Sequence, residues 1–253
     1  MDYLTRVSPV KRRYSTRNPS VNMPEIKDRF TKSAKSCLEN GQRLLDEAEL
    51  LEFEDPLSTR YFLSMIAQEE CAKGFILFLV SIEVIPWNTQ IFRATRDHRC
   101  KQLLCIVIDF LTDDNEFINR INSFVIENKR LDIPARVNDS MFILRHEKIG
   151  RWESNTWVWA EDPIYEETAL RVADGKQDRV KQRSLYVDVG KNGKVIATPK
   201  VITQEQANAE YEKGRRFISF LKDLTSGEIP TSPDYEKVEQ CFRVLFSKFM
   251  ENV

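Results

Sequence analysis

Residues 57–85, "LSTRYFLSMIAQEECAKGFILFLVSIEVI", decide how this chain is read. Pro86 follows, and it biases the residue before it towards extended backbone, so the spacing predicts a helix from about Leu57 that stops ahead of it. The second half, "GFILFLVSIEVI" at 74–85, is too short to cross a bilayer and already carries Glu83, so it reads as buried helix. At about 100° per residue, Phe62, Met65, Ile66, Ile76 and Val80 share one face, with Glu69 and Lys73 at its centre. A charged pair therefore stands where packing asks for apolar side chains.

Working outward, Pro24 suits the first turn of a preceding helix through "KDRFTKSAKSCLENGQRLLDEAELLEF", with an apolar stripe of Phe30, Ala34, Cys37, Leu38, Leu44, Leu45 and Ala48. "EDP" at 54–56 then separates the two helices of a long hairpin. A third helix opens at Thr95 or Asp97, either of which can cap it, and shows Cys100, Leu103, Leu104, Val107, Phe110 and Leu111 on one face. A short helix is expected at about Asn115 to Ile126, and "RLDIPARVND" reads as loop. Trp152, Trp157 and Trp159 crowd the stretch after it, a pattern of core or lid packing more than of a base-stacking platform.

Beyond a helical segment near Pro163 to Lys176 the period changes. "SLYVDVGKNGKVIATPKVIT" sets short β-rich runs on either side of Asn192-Gly193, a strong hairpin signal. Thr203 and Gln206 form a capping-box pattern ahead of a helix that buries Ala207, Tyr211, Phe217 and Leu221. Ser232 and Pro233 start a last helix with the stripe Val238, Cys241, Phe242, Leu245, Phe246 and Phe249. The expectation is a mainly α protein: an antiparallel helical bundle in a single domain over 23–253, with a loop and β-hairpin insertion at about 128–202. Residues 1–22 carry five basic side chains against Asp2 alone and read as a flexible basic tail, solvated or in contact with RNA.

A chain of 253 residues can bury a sizeable core without a metal or disulfide. Five cysteines with no CxxC pair, beside two histidines, do not make a zinc site of the usual spacing. No cofactor or metal is expected. Reduced cysteines, the lack of a membrane-length run and an N-terminal stretch unlike a secretory signal point to the cytoplasm. A net charge of −1 argues against binding nucleic acid with the whole surface but leaves room for a local basic site.

Two features carry possible chemistry. Glu69 and Lys73 stand i, i+4 and can pair; burial would cost several kcal/mol per ion, so stability explains the pair poorly. It is either a structural ion pair that fixes the docking of the hairpin or part of a polar pocket facing a substrate or subunit. Glu70 is expected to be solvated. The second feature is "IFRATRDHRCKQ" at 91–102. His98 in a first helical turn, where free N–H groups disfavour the imidazolium, can act as a neutral base. Arg93, in the turn before it, can present a planar fork of donors to a phosphate. The alternative is an ordinary basic helix start.

The chain resembles the AbiV family of abortive-infection proteins, within the HEPN-like group of helical domains. The resemblance lies in "NGQRLLDEAELL" at 40–51, "AQEECAKG" with Glu69, Glu70 and Lys73, "HRCK" with His98 and Lys101, and "KQRSLYVDVGKNGKVIATPKVITQEQA" at 181–207. It implies a HEPN-like bundle and a bacterial anti-phage protein that halts growth or translation. It also implies a metal-independent endoribonuclease in which Arg93 and His98 match the arginine and histidine of the HEPN motif. Ala94 follows that arginine, where cutting members commonly carry a polar residue. On this reading Arg93, His98, Glu69 and Lys73 are catalytic, Lys101 and Arg96 bind RNA, and the chain works as a homodimer under a phage-encoded activator or against a host translation component. The alternative is a non-catalytic interaction protein that blocks translation by binding a phage or host protein.

Overall fold

The structure, a computed structural model, describes residues 23–113, 133–153, 164–226 and 233–247. The expected basic tail, the Asn115 to Ile126 helix, Trp157, Trp159 and the side chains of Val238 and Phe249 lie outside the described residues. Helices α1 (Met23–Glu49) and α2 (Ser58–Ser81) form the expected hairpin. Ala34, Cys37, Leu44, Leu45 and Ala48 of α1 are buried, as the stripe predicts.

Helix α2 is buried on almost every side, which is why its sequence is apolar all round in its second half and lacks a clean polar face. Helix α9 (Gln204–Thr225) lies along α1 and α2, while α4 (His98–Leu111) packs against another side of α2. Gly74 permits the close approach: a Cβ there would stand 2.6 Å from Leu221 Cδ2 and 3.1 Å from Cys37 Cβ. Phe75, one residue on, packs its ring against Phe220, Phe242 and Phe246, tying in α10 (Pro233–Leu245).

Helix α2 ends at Ser81, four residues short of the expected stop. Glu83 takes left-handed backbone at φ 58, the Glu83 N–H donates to the Val80 carbonyl and the Val84 N–H to that of Leu79. This is a Schellman closure with glutamate where glycine is usual. The chain then forms a short helix, α3 (Thr89–Ala94), capped by Asn88, and this helix holds Arg93 where a bare turn was expected. Asp97 caps α4 by accepting from the Cys100 N–H.

The "RLDIPARVND" loop is corrected from Ala135 onward. Residues 135–153 are continuous helix: α5 (Ala135–Phe142), a π-helical stretch (Ile143–Gly150) and a single turn, α6 (Arg151–Glu153). Val137, Met141 and Leu144 are buried at i, i+4 and i+7, and their packing overrides the turn preference of Asn138 and Asp139. Helix α7 (Glu167–Ala173) falls within the expected helical segment, and α8 (Lys176–Arg183) carries helix beyond it to the start of the hairpin stretch. Strands β1 (Asp188–Val189) and β2 (Val195–Ala197) pair antiparallel around Gly193, as the Asn-Gly signal predicts. Thr203 and Gln206 make both bonds of the capping box.

Among the described residues no helix is long and apolar enough to cross a membrane. All five cysteines are free and buried. Burial pushes the thiols of Cys71, Cys100 and Cys105 up, so they serve packing and are poor nucleophiles.

Candidate functional site

The helical period of α4 places His98, Lys101 and Gln102 on one face, at i, i+3 and i+4, and that face meets the polar half of α2. Helix α8 arrives from the side with Asp178 and Lys181, again i and i+3. Its approach is fixed at Gly175, which enters the helix at φ 71 with the Arg99 guanidinium 3.0 Å from where a Cβ would sit. The Ala173 carbonyl just before accepts from both Arg99 and Lys148.

Glu69 is the centre on which these side chains converge, with 2% of its side chain exposed. Its Oε1 accepts from Lys181 Nζ at 2.5 Å and Gln102 Nε2 at 3.0 Å. Its Oε2 stands 2.5 Å from His98 Nδ1 and 3.0 Å from Lys101 Nζ. Lys181 in turn lies 2.9 Å from Asp178 Oδ1 and 3.2 Å from His98 Nδ1. Burial pushes the Glu69 carboxyl up, but Lys101 and then Lys181, with hydrogen bonds from Lys181 and His98, reverse this and hold it below its ordinary value of 4.5. Two ammonium groups thus offset the several kcal/mol that burying a lone carboxylate would cost.

His98 differs from its partners in being open, with 53% of its side chain exposed. The ionised Glu69 assigns the proton to Nδ1, because a carboxylate accepts and does not donate. The Lys181 amine, 3.2 Å from the same nitrogen, lies nearer to its two carboxylate acceptors, at 2.5 Å from Glu69 Oε1 and 2.9 Å from Asp178 Oδ1. On a neutral ring held in this way, Nε2 is the nitrogen left for an outside group. A carboxylate that orients a neutral imidazole by Nδ1 is an arrangement suited to general base chemistry.

The ligand atoms of Glu69, His98 and Asp178 lie within 4.8 Å of one another and could hold a metal ion. The Lys181 ammonium, however, lies within hydrogen-bonding distance of both carboxylates. A divalent ion would have to displace it and face Lys101 as well. The cluster supplies its own cation.

Two expectations are corrected. Lys73 does not pair with Glu69; its amine lies 3.3 Å from Glu70 Oε2, and its side chain is 36% exposed. Glu69 is drawn away by ammonium groups on two other helices, which leaves Lys73 to its neighbour on the same helix. Glu70 is accordingly only 16% exposed in its side chain and not solvated. Lys101 turns inward to Glu69 with its side chain 9% exposed. Among the described residues Arg93 meets neither Glu69 nor His98: its guanidinium lies 4.4 Å from the centre of the Trp152 ring. Arg96 lies over Phe92.

Lys181, Asp178 and Gln102 were not singled out by their sequence. Helix α8, "KQDRVKQR", is polar at every position but Val180, so no stripe marks its inward face. Gln102 lay one helical turn beyond His98 and could have been found by that spacing.

A family model described as AbiV, of HEPN type, matches residues 29–213, more than half of the chain. Comparison with curated proteins and with solved structures gave no match.

Proposed function

This chain belongs to the AbiV family of HEPN domains, and from that premise we propose that it cuts RNA without a metal. Membership implies abortive-infection defence against phage. The observation that carries the chemistry is the buried Glu69 carboxylate holding Nδ1 of an exposed His98 at 2.5 Å. In this reading His98 Nε2 takes the proton of a ribose 2′-hydroxyl. The 2′-oxygen bonds to the adjacent phosphorus, the bond from phosphorus to the 5′-oxygen breaks, and that oxygen takes a proton from water. A 2′,3′-cyclic phosphate remains. Arg93 is assigned to the charge that builds on the phosphoryl oxygens, and Arg96, exposed nearby, to a neighbouring phosphate. Glu69 is the positioning residue, with Lys101 and Lys181 holding it ionised. The chain from residue 23 onward acts as one domain, as a homodimer, and halts translation or growth of the infected cell.

Cleavage of total RNA by the purified chain in excess chelator tests this. His98→Ala should lower the rate by about 10²–10⁴-fold, and Glu69→Gln, which can present the wrong hydrogen-bonding partner to Nδ1, by a comparable factor. Cleavage that is equal in wild type and His98→Ala, or that chelator abolishes, would sink the reading.

The stacking of Arg93 on Trp152 favours a second reading, a non-catalytic module that blocks translation by binding a phage or host protein. In that case Arg93→Ala leaves growth arrest intact. Under the nuclease reading the same substitution weakens arrest in step with a loss of about 10²–10³-fold in cleavage.

A further inference from the structure

The segment 171–201 holds eight lysines and arginines against three aspartates, a net charge of +5 in a chain whose total is −1. The remainder of the chain therefore carries a net −6 even though residues 1–22 are basic as well, and α7, α8 and the β-hairpin stand out as a basic stretch among the described residues. Helix α8 has two faces. Asp178 and Lys181 point into the Glu69 cluster, whereas Arg179 and Gln182, on the other side, are exposed, and Arg183 is half-exposed. The outward face borders a hollow of about 280 Å³ that is completed by Tyr186, Val187 and Asp188. Tyr186 is 67% exposed, although a tyrosine with no task in the core is ordinarily packed down on one side. Beyond it, Lys191 and Lys194 flank the hairpin turn, both exposed.

We infer that α8 and the hairpin form a docking face for single-stranded RNA, which runs past Arg179 and the hairpin lysines with a base stacked on Tyr186. Charge complementarity selects the occupant: a local excess of +5 on a chain of net −1 suits a polyanion, and an exposed aromatic ring beside arginines suits an unpaired base. The same helix that receives the strand supplies Lys181 to Glu69, so the docking face and the His98 site are joined by one rigid element of eight residues. The inference rests on the ribonuclease reading for the choice of RNA and extends it by naming the surface that holds the substrate.

The test measures binding of a short fluorescein-labelled single-stranded RNA by anisotropy, with the full chain carrying His98→Ala so that the probe survives. All substituted positions are exposed and outside the His98 cluster. In that background R179Q/K191Q/K194Q should weaken binding at least tenfold, on the order expected for lost phosphate contacts, and flatten the slope of log K against log salt by about 2. Tyr186→Ala should weaken it by about tenfold with the salt slope kept. Binding unchanged by the triple variant overturns the inference. So does loss of growth arrest on substituting exposed Val195 and Ile196 while RNA binding stays intact, since the ribbon would then be a protein-docking face. His98-dependent cleavage with binding that ignores the patch sinks the docking face alone. Patch-dependent binding by a wild-type chain that cuts nothing sinks the cleavage reading and leaves the face standing.

Discussion

The two halves of α2 both reach the core, but they bury different chemistry there. From Phe75 to Val80 every side chain is apolar and packed; one to four turns earlier, Arg60, Ser64, Gln68 and Glu69 are just as deep and all polar. In the first region burial itself stabilises, at about 1.5–3 kcal/mol for a large apolar side chain. In the second, burial is a cost that only specific partners offset. Gln68 donates to the Glu210 backbone carbonyl and carboxylate, Arg60 donates to Asn208 and stacks on Tyr211, and Glu69 gathers its four partners from α4 and α8. A helix that keeps such a polar half in its core carries something packing alone does not require.

The largest effects separate the halves. Glu69→Ala leaves the buried Lys101 ammonium without its carboxylate and Lys181 with Asp178 alone, and should cost about 3–5 kcal/mol of stability, with loss of RNA cleavage in the protein that remains folded. Phe75→Ala should cost a similar 3–5 kcal/mol by opening a cavity among Phe220, Phe242 and Phe246, yet leave cleavage per folded molecule near wild type. Urea unfolding combined with a cleavage assay reads both. Should Phe75→Ala abolish activity at concentrations where the chain is folded, the two halves are not separable and the comparison fails.

A smaller effect distinguishes them by pH. The Glu69 carboxyl is held below its ordinary value of 4.5, against burial, by Lys101 and Lys181. The folded chain therefore takes up that proton less readily than the unfolded chain. The corresponding stabilisation is complete above about pH 4.5 and is lost as pH falls through the folded value. Wild type should lose stability relative to Glu69→Gln on going from pH 6 to pH 3, roughly the window in which a depressed carboxylate protonates; Phe75→Ala should follow wild type. A gap between wild type and Glu69→Gln that stays constant across that range would show that the carboxylate is not held ionised by its neighbours.

The same contrast explains what was legible. Apolar periodicity located α1, α2, α4, α9 and the face of α10, and local chemistry located the Asp97 cap, the Asn192-Gly193 turn and the capping box. These signals lie within a few residues of each other. The stop of α2 was missed because Glu83 adopts the backbone expected of glycine, and α5 because Asn138 and Asp139 resemble a turn until Val137 and Met141 are seen to be buried. Glu69 and His98 were visible as a charge in a stripe and a histidine in a first turn. The family resemblance set them in one site, but spacing gave no contact between them, because the partners of Glu69 lie 29, 32, 33 and 112 positions away. Sequence spacing proposed the nearest cation, Lys73, and tertiary packing supplied Lys101 and Lys181.

Lys73 therefore provides the smallest effect and a useful one. Its amine reaches Glu70 at 3.3 Å across i, i+3, with a side chain 36% exposed. An exposed pair of this kind contributes about 0.2–1 kcal/mol, and solvent screening at a third exposure places Lys73→Ala at the lower end. Lys181→Met, by contrast, strips a buried ammonium from between Glu69 and Asp178 and should cost several-fold more, with loss of the His98-dependent rate. The two lysines stand close to one carboxylate in chain or in space, so measuring both substitutions by urea unfolding asks which kind of proximity matters. Equal costs would mean that Lys73 reaches Glu69 in solution and that the cluster is wider than its three helices. A cost near zero for Lys73 and a large one for Lys181 is the outcome that three-dimensional contact requires.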